Sequence, residues 1–156
     1  MNEKIIAFAS DHAGFKLKMN LFNEFRLFGY SAIDLGTHSD NPVDYPDFGY
    51  LMAETIMKKK ADFGVLICGT GIGMSISANR FPEIRAALTH DPNEAELSRQ
   101  HNNANILCLG ARIVPQKTAK ACLNAFIKTK FDGGRHNRRI EKLSNLKEPQ
   151  EREEKR

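Results

Sequence analysis

A chain of 156 residues, 41% hydrophobic and 27% charged, has the size of one domain and is too apolar for a disordered polymer. No apolar run approaches the roughly 20 residues that span a bilayer, and no cleavable signal pattern precedes the first strand-like stretch. A soluble, cytoplasmic protein with no membrane partner is therefore expected. The net charge of +4 is modest and local. Residues 147–156 balance four basic against four acidic groups, whereas Arg135, Arg138, Arg139 and Lys142 are offset only by Glu141. With no aromatic interleaving and no nucleic-acid motif, that cluster reads as a small-phosphate grip or a solvated helix face, and nucleic acid is excluded as a partner.

In chain order, the first strand is expected over 4–9, continuously apolar as when both faces of a sheet are covered. Asp11-His12 end it, ahead of Gly14 and a helix over 15–28 with Gly29 behind it as a C′ glycine. The Asp11 carboxylate either orients the neighbouring imidazole or caps the helix start. A strand over 31–35 leads to Asp44-Tyr45-Pro46-Asp47, locally a loop-to-helix turn, and to a helix over 47–60. A strand over 63–68 runs into a glycine-rich loop and a helix over 73–79. A strand over 84–88 precedes Asp91-Pro92-Asn93-Glu94, which reads as an N-cap, a proline at N1 and an acid at N3 of a helix over 91–101. A last strand over 106–109 is followed by helices over 115–128 and 135–146. Residues 1–146 are expected to form the domain and residues 147–156 a charged, frayed tail.

This alternation predicts an α/β class: a single three-layer Rossmann-like domain, with a five-stranded, mostly parallel sheet, helices on both faces and a C-terminal helix. Ligands of such sheets sit outside the carboxyl ends of the strands, where the chemically able residues gather.

The sharpest motif is Cys68-Gly69-Thr70-Gly71-Ile72-Gly73. Alternating glycines between a strand and a helix turn the backbone tightly and expose N–H groups to an oxygen carrying negative charge. A dinucleotide fingerprint would want GxGxxG on the first βα unit, and this is GxGxG on the third. Cys68 faces those donors, an arrangement that stabilises a thiolate and sets a base beside an oxyanion site. Cys108 and Cys122 lie inside apolar runs and read as small buried residues. The three cysteines have no metal-ligand spacing, so no metal and no cofactor are expected. His101 closes the fourth helix, and the strand pattern alone does not bring it to the active edge. Arg135 and Arg139, four apart on one helix face, can grip a phosphate bidentately.

Ser10-Asp11-His12-Ala13-Gly14, Asp44-Tyr45-Pro46, Ile67 to Gly73, Ser98-Arg99-Gln100-His101-Asn102, Gly110-Ala111-Arg112 and Gly133-Gly134-Arg135-His136 together, in this order, resemble the type B ribose-5-phosphate isomerases. That family extends to galactose-6-phosphate isomerase subunits. The resemblance implies interconversion of ribose 5-phosphate and ribulose 5-phosphate, with a six-carbon aldose 6-phosphate such as allose or galactose 6-phosphate as the alternative. It implies Cys68 as proton acceptor, Gly69, Thr70, Gly71, Ile72 and Gly73 around the enediolate, and His101 as proton donor acting with Asp11 and His12. It also implies Tyr45 and Asn102 as substrate ligands and Arg112, Arg135 and Arg139 as the phosphate and substrate grip. Some relatives use a glutamate base that falls near Ser75, which assigns this chain to the cysteine branch. The family builds its site at a subunit interface, which implies a homodimer or a tetramer built from one.

Overall fold

Successive strand side chains point to opposite faces, and the central strands are buried at nearly every position, so both faces of the sheet are covered. The computed structural model describes residues 4–146; the expected 147–156 tail lies outside the described residues. Strands β1 (Ile5–Ser10), β2 (Ser31–Asp34), β3 (Phe63–Cys68), β4 (Ala86–Leu88) and β5 (Ile106–Gly110) form one sheet in the order β2-β1-β3-β5-β4. Every pairing is parallel, so the sheet is wholly rather than mostly so. Helices α1 (Phe15–Leu27), α2 (Tyr45–Met57), α3 (Ile72–Ala78), α4 (Pro92–Asn102), α5 (Gln116–Lys128) and α6 (Arg135–Ser144) complete the α/β fold.

Ile6, Phe8, Val65, Ile67, Leu107 and Leu109 point into one core with Leu21 and Phe25 of α1 and Leu123 and Phe126 of α5. The alternate residues Ala7, Ala9, Leu66, Cys68, Ile106 and Cys108 point the other way, against Met52 of α2 and Met74 of α3. Each fully buried Leu or Phe contributes about 1.5–3 kcal/mol, so both faces, not one, hold the sheet. From β1 the chain moves outward to β2, and from β3 it moves outward the opposite way. The switch point is therefore the crevice between β1 and β3, where ligands of open parallel sheets bind.

Local chemistry moved some boundaries. β4 starts at Ala86 rather than 84: the Ile84 N–H turns back to the Phe81 carbonyl, and the Arg85 N–H goes to Asn105 Oδ1 at 2.8 Å. α2 starts at Tyr45, with Pro46 inside its first turn, where a missing N–H costs nothing. Asp91 caps α4 by accepting the Glu94 N–H at 2.9 Å, and Glu94 Oε2 accepts the His90 N–H at 2.7 Å. That reciprocal link lands one residue before the cap, unlike a strict capping box.

Candidate active site

β3 ends on Cys68, whose side chain is 4% exposed and faces the α2–α3 side of the sheet. The Gly71 N–H donates to Cys68 Sγ at 3.1 Å. Gly71 sits at φ 77°, and a Cβ there would lie 2.6 Å from a Leu88 methyl carbon and 2.9 Å from the Leu109 carbonyl carbon. Only glycine fits both the dihedral and the space. Thr70 Oγ1 accepts the Ile72 N–H at 3.2 Å, while among the described residues the N–H groups of Thr70 and Gly73 donate to no protein acceptor. The loop thus holds the sulfur and retains donors for a ligand oxygen. Ser75 gives its hydroxyl to the Ile72 carbonyl at 2.8 Å and is spent on its own helix.

Across the crevice, Asp11 follows β1 and is 6% exposed. Its Oδ1 accepts the Gly14 N–H at 3.0 Å, so of the two roles open to it the carboxylate takes the turn-capping one. The His12 ring is held from elsewhere, its Nδ1 accepting the Val43 N–H at 3.2 Å. In the neutral ring this leaves the proton on Nε2. Tyr45 lies against the glycine loop: a Cβ on Gly73 would sit 2.6 Å from its ring. Arg112 extends over Gly69, its Nη1 2.9 Å from where a Cβ would stand. The Arg112 and Ala111 N–H groups donate to the Gly69 and Cys68 carbonyls, each at 2.9 Å, lacing the β5–α5 turn to the glycine loop.

His101, Asn102, Arg135 and Arg139 lie elsewhere. α4 leaves the carboxyl edge of the sheet at Asp91 and runs 11 residues, about 16 Å, back to the amino edge. There the Gly64 N–H donates to the Asn105 carbonyl at 3.0 Å and the Arg99 guanidinium lies 4.7 Å from the Phe63 ring centroid. Cys68 pairs with Gly110 at the opposite end of the same two strands. The Asp132 N–H donates to the Gln100 carbonyl at 3.0 Å, tying the start of α6 to this edge. Arg135 and Arg139 stand exposed one turn apart on α6.

Sequence reasoning gave no role to His136, which is buried against α4 and stacks on His101 with centroids 4.6 Å apart and planes 10° apart. Its signal was the i, i+4, i+7 spacing with Ile140 and Leu143 on one face of α6, of which His136 alone is buried. Burial, then the positive neighbours His101, Arg135 and Arg139, hold the His136 imidazolium below its ordinary range, with Asp132 opposing. His101, Asp132 and His136 bring three ligand-type atoms within 4.8 Å of one another. Sequence spacing could not show this group, since its members lie on separate elements. Because in-plane lone pairs of parallel imidazoles do not converge on one point, the arrangement is a stack rather than a coordination shell.

The site residues thus form two groups at opposite edges of the sheet. A cavity of about 510 Å³ lies away from Cys68 and touches the second group at Asn102, with Arg80, Phe81, Pro82, Leu143 and Leu146 among its lining residues. Beside Cys68, α3 leaves Ile72 and Ile76 uncovered.

A family model described as Ribose/Galactose Isomerase matches residues 6–143. The chain is 41% identical over 145 residues to ribose-5-phosphate isomerase B of Escherichia coli, covering 93% of this chain and 97% of that relative. It is similar to the crystal structure of a ribose 5-phosphate isomerase from Thermotoga maritima, at 48% identity and a TM-score of 0.90, covering 92% and 99% of the two chains. The ribose-5-phosphate isomerase B of Mycoplasma genitalium with bound ribulose-5-phosphate is 38% identical, with a TM-score of 0.86 and 97% of each chain covered.

Proposed function

The chain belongs to the ribose/galactose isomerase family, and we propose that it interconverts D-ribose 5-phosphate and D-ribulose 5-phosphate through an enediolate, in the non-oxidative pentose phosphate pathway. The observation that carries this reading is the Cys68 sulfur, held by the Gly71 N–H at the β1–β3 switch point. Cys68 takes the C2 proton of the open-chain aldose and returns it to C1. Charge developing on the substrate oxygen meets the N–H groups of the Gly69–Gly73 loop and the Thr70 hydroxyl. In comparable sites one such donor contributes roughly 3–4 kcal/mol. His101, with Asp11 and His12, moves the protons of ring opening. Asn102 and Tyr45 hold sugar oxygens, and Arg112, Arg135 and Arg139 hold the phosphate, supplying binding energy remote from the reacting carbons. The isomerisation is redox-neutral within one molecule, so neither nicotinamide nor a metal is required.

The working unit is a homodimer whose two sites each take Cys68, Asp11, His12 and Arg112 from one copy and His101, Asn102, Arg135 and Arg139 from the other. Three features support it: the two groups lie at opposite sheet edges, a cavity of about 510 Å³ touches Asn102, and the α3 flank leaves Ile72 and Ile76, 51% and 60% exposed, for a partner to cover. A two-fold axis sets the carboxyl edge of each copy against the amino edge of the other. We read residues 1–146 as one such isomerase domain in a cytoplasmic enzyme. The test is a direct assay of ribose 5-phosphate beside allose and galactose 6-phosphates. Preference for ribose 5-phosphate is expected; turnover of a six-carbon sugar without ribose 5-phosphate would replace the pentose reading with the hexose one.

A further inference from the structure

Lys18 lies on the inner face of α1 with no solvent exposure. Its Nζ donates to Asp34 Oδ1 at 2.5 Å and to the Thr37 carbonyl at 2.7 Å. The same Asp34 oxygen accepts the Gly36 N–H at 3.0 Å. The ammonium and carboxylate thereby fix the chain as it leaves β2. Gly36 and Thr37 then clasp the residue before Asp11-His12: the Ser10 N–H donates to the Gly36 carbonyl at 2.8 Å, and the Thr37 N–H donates to the Ser10 carbonyl at 2.9 Å. Farther along the segment, the Val43 N–H reaches His12 Nδ1 at 3.2 Å. The circuit closes through α1, since Asp11 caps Gly14 and the Gly14 carbonyl accepts the Lys18 N–H at 2.9 Å.

A buried cation without its anion is strongly destabilising, whereas replacing both members of a buried pair with neutral groups of similar volume is commonly tolerated by the fold. Lys18 is fully buried and Asp34 mostly so; folding alone does not require such a pair, and the circuit gives it a second role. We propose that the Lys18–Asp34 pair is a positioning pair for the isomerase site: it anchors residues 36–43 so that Val43 holds His12 in one orientation and one tautomer, with Nε2–H turned to the substrate. Neither residue touches substrate; both act through His12. The proposal rests on the isomerase reading for its kinetic consequence and not for its tautomer consequence.

The test is the double variant K18M/D34N in the full chain, read by circular dichroism, by kinetics with ribose 5-phosphate and by ¹⁵N NMR of the His12 ring. Wild type is expected to show neutral His12 as the Nε2–H form. The folded double variant should mix tautomers and lose roughly 10–100-fold in kcat/KM, the cost of a misplacement near 1 Å. An Nδ1–H tautomer in wild type overturns the proposal at once. So does a double variant that keeps its tautomer, one that keeps kcat/KM within about twofold, a margin far inside that misplacement cost, or one that fails to fold, since the pair would then hold the fold rather than aim a side chain. Absence of ribose 5-phosphate turnover in wild type would fell the functional reading instead, and the NMR comparison would still decide whether the pair sets His12.

Discussion

Cys68 and His101 of one chain sit at opposite edges of its sheet: Cys68 ends β3, whereas the turn that follows His101 and α4 meets β3 at Gly64, four residue rises or about 13 Å away. Side chains so placed cannot flank one sugar carbon within a single copy. Mixing an inactive Cys68→Ala chain with an Arg139→Ala chain, assayed at ribose 5-phosphate far below the latter's raised KM so that neither parent turns over, should therefore restore activity. Random pairing in a two-fold dimer leaves one intact site in each mixed dimer, or about one quarter of wild-type turnover. No recovery in dimers verified as mixed would put both residues in the same site of one chain.

Replacing Cys68 by serine keeps the side chain's size and removes its acidity. Turnover should fall by about 10²–10⁴-fold, with little change in KM. Exchange of the substrate C2 proton with heavy water, followed by NMR, reads the step directly; wild-type exchange in the variant would assign the base to another group. Arg139→Ala should give the opposite split, a raised KM with kcat largely kept.

Gly71→Ala should destabilise the fold as well as the site. A non-glycine residue at φ 77° costs about 1–2 kcal/mol, before the 2.6 Å clash with Leu88 is relieved. For a chain of this size that strain alone lowers Tm by roughly 2–8 °C. A thermal melt unchanged within error would show that the loop relaxes freely.

The folded pKa of His136 lies below its unfolded value of about 6.5. The unfolded chain therefore binds more protons over the interval between those values, and stability rises with pH there and is lost as the pH falls through it. His136→Asn should flatten the acid-side decline of Tm below about pH 6.5. If wild type and variant decline in parallel between pH 5 and 7, His136 is not an acid-side liability.

Dialysis against a strong chelator should leave the isomerase rate unchanged, because in the proposed mechanism Cys68 is the base and the Gly69–Gly73 loop the oxyanion site for proton transfer between C2 and C1. Loss of activity that only a divalent cation restores would contradict this.

How far the sequence could be read varied with how local each feature is. The strands were visible in continuous apolar runs such as 63–68, and Gly29 marked the end of α1 by its need for φ 83°. Cys68 and its glycines were legible because a strand, a loop and a helix start are all neighbours in sequence. The resemblance supplied His101 while leaving its place in the fold undefined, and only the direction of α4 puts it at the far edge. Lys18, Asp34 and His136 were missed for a physical reason: a buried lysine on an amphipathic helix looks like a solvated one until a distant aspartate faces it. The stacked imidazoles likewise meet across two helices, and no spacing rule connects them.

The three thiols do not share one environment. Cys108 and Cys122 have no exposure, and burial pushes both thiols up, aided at Cys108 by neighbouring Cys68. Cys68 alone stands at the end of its strand beside an open crevice. A small alkylating reagent added to the native protein should therefore consume one equivalent per chain and stop catalysis at that stoichiometry, and substrate should slow the loss. The folded chain can thus be counted by its own chemistry: one equivalent marks each folded copy, and uptake beyond one equivalent marks copies in which unfolding has exposed Cys108 and Cys122.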